Sequence, residues 1–85
     1  MTLKEAKNIF EEITDLCYKI EDTGLNETLE SMYVDFENAE NVFEIIELVS
    51  DILFHIEDMG WDDEDVEDIK NEIKYLYNTL QDEAE

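Results

Sequence analysis

Two side chains in this sequence have the chemistry of a nucleophile or a soft metal ligand, Cys17 and His55, and neither has a spaced partner. A zinc set needs about four Cys or His ligands at short recurring intervals, and an activated nucleophile needs a base beside it. One of each satisfies neither requirement. Cys17 sits at an apolar, helix-period position and reads as a small core hydrophobe; as the single cysteine it closes no internal disulfide. His55, between Phe54 and Ile56, reads as a surface or boundary residue. What remains is carboxylate. Asp and Glu supply 26 of 85 residues against five Lys and no Arg, a net charge of −21 on 10.1 kDa. Carboxylate pairs are then so frequent that their presence selects no acid–base site, and a small helical domain with an apolar core rarely encloses a pocket. The residues point to a protein that is not an enzyme and takes no cofactor.

The densest carboxylate run is Asp62-Asp63-Glu64-Asp65-Val66-Glu67-Asp68. Hard cations take clustered carboxylate oxygens, but a calcium loop alternates its ligands, with Gly at position six and a bidentate Glu at twelve. No register here supplies them, and the run reads as helical, so no metal site is expected. The string Ile56-Glu57-Asp58-Met59-Gly60-Trp61-Asp62-Asp63 is similar to the turn before the second helix of acyl carrier protein. That resemblance implies a phosphopantetheine-bearing serine where this chain has Asp63. Ser31 and Ser50 lie outside any such turn, so a carrier role is not expected.

The elements that carry these residues are helical. Proline is absent, the glycines are Gly24 and Gly60, and apolar residues recur at three- and four-residue steps with no period of two. Leu3, Ala6, Ile9, Phe10, Ile13, Leu16, Cys17 and Ile20 mark a helix from about residue 3 to about 22, capped by Thr2 with Glu5 and ended by a left-handed Gly24. A short second helix is expected from an Asn26 cap through Leu29, Met32, Tyr33 and Phe36 to Asn38. A third follows Asn41, whose side chain pairs with Glu44, and carries the widest apolar stripe. A fourth opens at Asp62, with Trp61 and Val66 as a hydrophobic staple, and runs through Ile69, Ile73, Leu76 and Leu80. Ile20 to Leu25 aligns with Ile56 to Trp61 at an offset of 36 residues, which suggests two tandem helix-turn-helix units over 3–39 and 41–80. Short connections imply antiparallel neighbours. The expected fold is all-α, a compact antiparallel four-helix bundle forming one domain over residues 1–85. No apolar stretch approaches the roughly 20 residues of a membrane span, and the start leads into a charged helix, so a cytoplasmic protein without membrane contact is expected.

The charge is unevenly placed. Lys4, Lys7, Lys19, Lys70 and Lys74 lie toward the ends, leaving residues 20–69 without a cation but with 18 acids. Helix dipoles and solubility account for part of this, since a small domain needs a net charge magnitude of only about 2 to 8 and more is destabilising. The excess implies that the field itself is used. Because B-DNA carries about one charge per 1.7 Å, 21 charges correspond to about 36 Å of duplex. A nucleic-acid mimic is the leading expectation: an inhibitor that occupies the basic surface of a DNA- or RNA-binding protein. In composition it resembles the phage and mobile-element mimics that block restriction or CRISPR nucleases. The expected contacts are Glu27, Glu30, Asp35, Glu37, Glu40, Glu44 and Glu47, with Asp62, Asp63, Glu64, Asp65, Glu67 and Asp68. Direct nucleic-acid binding is not expected without a basic patch. The alternative is a structural or regulatory module that dimerises or holds a partner helix through an apolar strip of Phe43, Phe54, Tyr75 and Tyr77, its charge serving solubility or a salty or hot environment.

Overall fold

The computed structural model describes residues 1–58 and 64–84. It contains α1 (Leu3–Tyr18), α2 (Thr23–Asn38), α3 (Val42–Asp58) and α4 (Glu64–Glu83), with no strand among the described residues. Each helix follows from its apolar stripe. Ala6, Phe10, Ile13, Leu16 and Cys17 of α1, Leu25, Leu29 and Phe36 of α2, Ile45, Val49, Ile52 and Ile56 of α3, and Ile73 and Leu80 of α4 are buried together. The buried set among the described residues contains no polar or charged side chain, as expected when ionised groups have no partner to offset their desolvation.

The helices run up-down-up-down. Phe10 of α1 stacks on Phe36 of α2, ring centroids 4.6 Å apart, and Lys7 Nζ lies 5.5 Å from the same Phe36 ring. This puts the start of α1 beside the end of α2. The Met1 amino group donates to the Glu83 carbonyl at 3.2 Å, which puts it beside the end of α4 as well. α1 and α3 each touch the other three helices; α2 and α4, among the described residues, do not meet. The bundle measures 34 × 24 × 18 Å.

Two helix starts match their sequence signals. The Glu5 amide donates to Thr2 Oγ1 at 3.2 Å, and the Glu44 amide donates to Asn41 Oδ1 at 3.1 Å. The α1–α2 connection differs from expectation. α1 stops at Tyr18 and tightens: the amides of Lys19, Ile20 and Glu21 donate to the carbonyls of Leu16, Cys17 and Tyr18, the i to i−3 pattern of a 3₁₀ turn. The left-handed residue is Glu21, at φ 58°, and not Gly24. Asp22, extended at φ −97° and ψ 123°, caps α2 by accepting from the Leu25 amide at 2.8 Å, so Asn26 is not the cap. An aspartate three positions ahead of a buried leucine wins over the later asparagine, because it lets Leu25 enter the core. α2 consequently has 16 residues, the same length as α1. Gly24 falls in its first turn, where a Cβ would come to 3.3 Å from the capping Asp22 Oδ1. The corresponding expectations at Gly60, Trp61 and Asp62 lie outside the described residues.

Candidate functional site

Cys17 has no solvent exposure, and burial pushes its thiol up to about 12. A thiol so held is protonated at neutral pH and is neither nucleophile nor ligand. His55 is half-buried; its Nε2 is shielded from solvent without a hydrogen-bond partner, as is Asn26 Oδ1 on α2. No group of three His, Cys, Asp or Glu among the described residues converges as a metal site. The acidic run illustrates why: Glu64, Asp65, Glu67 and Asp68 lie on α4, and a helix turns successive side chains by about 100°. Asp62 and Asp63 lie outside the described residues.

The acids of the lysine-free middle are on the surface. Glu27, Glu30, Asp35, Glu37, Glu40, Glu44 and Glu47 are all exposed, as are Glu64, Asp65, Glu67 and Asp68. The fold sorts them into separate places. Asp35 of α2 and Glu44 and Glu47 of α3 line one groove, joined by Leu48 and by Asp51. Glu37 turns to the other side of α2, into a groove with Lys4, Lys7, Glu11 and Phe36. Its field is there opposed by two cations. Glu27 and Glu30 occupy the outer surface of α2, away from its buried Leu25, Leu29 and Phe36. Glu64 to Asp68 sit at the start of α4, at the end of the bundle to which the C-terminus of α3 points, remote from Glu44 at the start of α3. The groove residue missing from the sequence reading is Asp51. Its signal was present, since Glu44, Glu47 and Asp51 recur at three- and four-residue steps on one helix.

Besides the capping Asp22, both Glu44 and Glu57 are locally engaged. The Glu44 carboxylate accepts from the Glu40 amide at the start of α3, and Glu57 accepts from Lys74 Nζ at 3.1 Å. Both partners of the ion pair are half-exposed, so its worth is at most about 1 kcal/mol.

The expected apolar strip divides at α4. Phe54 and Tyr77 border the groove between α3 and α4 with Ser50, Leu53, Glu57, Lys74 and Asn78. Tyr75 opens on the opposite side, toward α1, with Glu12, Asp15, Leu16, Lys19, Glu72 and Leu76. Residues two apart on a helix point about 200° from one another, which is why they cannot share a face. Tyr77 is half-buried, its hydroxyl accepting from Gln81 Nε2 at 3.1 Å. Phe43, Phe54 and Tyr75 are 62%, 74% and 71% exposed.

Compared with protein-family models, with curated proteins and with solved structures, the chain matches none. The functional reading therefore rests on the molecule's own surface. Among the described residues no helix is long and apolar enough to cross a membrane.

Proposed function

We propose that this protein is a nucleic-acid mimic: a non-enzymatic acidic bundle that occupies the basic surface of a DNA- or RNA-binding protein and inhibits it, in the manner of an anti-restriction or anti-CRISPR factor of a phage or mobile element. The observation that carries the reading is the ratio of charge to length. The long axis is 34 Å, which in B-DNA would hold about 20 phosphate charges, and the chain has a net charge of −21. The helical framework supports it by holding carboxylates at fixed positions, as in the groove of Asp35, Glu44, Glu47 and Asp51. A groove of this kind offers a basic protein what a phosphate backbone offers, with no base to read and no bond to cut.

The test is competition. Labelled duplex of about ten base pairs, matched to the length of the bundle, is held by each of a panel of purified DNA-binding proteins and followed by fluorescence anisotropy. The protein displaces duplex from at least one member at roughly 50 mM salt, and displacement falls steeply toward roughly 500 mM as screening shortens the range of the charges. Polyglutamate of equal charge is the control. Displacement no better than that control, for every member, overturns the reading.

A further inference from the structure

The solvent face of α3 has a composition that charge mimicry alone does not require. Its exposed residues are Phe43, Glu44, Glu47, Ser50, Asp51, Phe54, Glu57 and Asp58: two phenylalanines, five acids, one serine and no cation. Phe43 and Phe54 are 11 residues apart. At about 100° per residue they point within about 20° of each other, and at 1.5 Å rise they stand about 16 Å apart along a straight rod. A phosphate surrogate gains nothing from two rings held in water, each more than 60% exposed. Soluble surfaces keep such rings few.

The surroundings of the rings decide what covers them. On the α2 side of this line stand the carboxylates of Asp35, Glu44, Glu47 and Asp51 around their shared groove. On the α4 side Phe54 borders a groove with Leu53, Tyr77 and the Lys74–Glu57 ion pair, so the partner's cations are received on the α2 side alone. A second copy of the chain is disfavoured, because pairing two such faces sets carboxylate against carboxylate, and like charges brought together at an interface cost several kcal/mol. An anionic membrane is repelled for the same reason. The complementary occupant is apolar along one line and cationic along the flank beside it. An amphipathic helix has that pattern, and its own 1.5 Å rise keeps apolar side chains in register with rings about 16 Å apart.

We infer that the solvent face of α3 is a docking strip for a cationic amphipathic helix of a partner protein, with Phe43 and Phe54 as its apolar anchors and Asp35, Glu44, Glu47 and Asp51 receiving the partner's cations along one flank. The inference rests on the reading of the partner as a basic protein and adds to it the shape of the element that is recognised.

The experiment uses two synthetic peptides of about 18 residues, long enough to pass both rings. One is an amphipathic helix of Lys and Leu; the other has the same lysines with every Leu replaced by Gln. Affinities for the full chain are measured by calorimetry at roughly 50 mM salt. The wild type binds the amphipathic peptide about tenfold tighter or more, the worth of part-burying two rings. The double variant Phe43→Ser, Phe54→Ser loses that preference and keeps its affinity for the polar peptide, with helicity checked by circular dichroism. Glu47→Gln with Asp51→Asn weakens both peptides. Equal affinity of the wild type for the two peptides overturns the docking strip while leaving the basic-partner reading intact. A preference unchanged in the double serine variant also overturns it. Binding of neither peptide overturns both readings. A dimer in sedimentation equilibrium that Phe54→Ser dissociates assigns the face to a second copy and overturns the proposal.

Discussion

At the scale of the residue, the two groups with the most reactive potential are covered: neither Cys17 nor His55 Nε2 reaches solvent. Cys17 is sealed in the core with its thiol raised from 9.0 to about 12. Below pH 9 the thiol is protonated in both folded and unfolded chains. Between about 9 and 12 the unfolded chain gives up a proton that the folded chain keeps, so the unfolded state gains and stability falls as pH rises. The slope from this one group approaches about 1.4 kcal/mol per pH unit. Urea melts of the wild type and Cys17→Ala across that range isolate it: the difference between the two proteins narrows with rising pH, and a constant difference contradicts the assignment. That Cys17 is a core residue was legible from its three- and four-residue spacing to Ile13 and Ile20. The shielded Nε2 of His55 was not, because it depends on how the helices pack and no pattern within one helix encodes that.

At the scale of the element, the α1–α2 connection shows where local signals compete. Gly24 and Asn26 are acceptable punctuation by type, but Asp22 is a stronger cap and places Leu25 inside, so the strain of a left-handed backbone falls on Glu21. Two substitutions test this. Asp22→Ala removes the side-chain acceptor for the Leu25 amide and lowers stability by about 1 kcal/mol. Glu21→Gly relieves a left-handed non-glycine residue, a conformation that costs roughly 1 to 2 kcal/mol, so urea unfolding shows a gain despite the added freedom of the unfolded chain. Glu21→Gln keeps the backbone strain while removing the charge, and shows no comparable gain. Helix existence, phase and the caps at Thr2 and Asn41 were readable because each is set within one turn of sequence. The boundary at residues 18–23 was not, because it is decided by which of two caps lets a leucine reach the core. The candidate surface was legible in part: Asp35 and Glu37, like Tyr75 and Tyr77, are two apart on a helix and must point about 200° from one another, whereas which groove each borders depends on the helix that its face meets.

At the scale of the whole molecule, the bundle is about as long as the reach of its own field in dilute salt. In roughly 10 mM salt the screening length is about 30 Å, close to the 34 Å long axis, so each carboxylate repels nearly every other. At roughly 0.3 M that range falls below about 8 Å. The thermal midpoint therefore rises by several degrees between these salts, while circular dichroism at the lower salt already shows a folded helical protein, the apolar core being complete without counterions. A chain unfolded in dilute buffer would instead mark the charge as an adaptation to salt. The lysines carry a last consequence. Those of the described structure stand on α1, on Lys19 just beyond it, and on α4, while α2 and α3 have none, and the Met1 amino group lies at the junction of α1 and α4. Any amine-directed chemistry, whether a fluorophore, a cross-linker or coupling to a sensor chip, therefore reaches α2 and α3 only at their borders, through Lys7 beside Phe36 and Lys74 beside Glu57, and leaves the face of Asp35, Glu44, Glu47 and Asp51, which no lysine lines, unmodified. Immobilisation through amines is thus oriented by the fold itself, and a binding partner of that face can be sought on such a chip without engineering a tag.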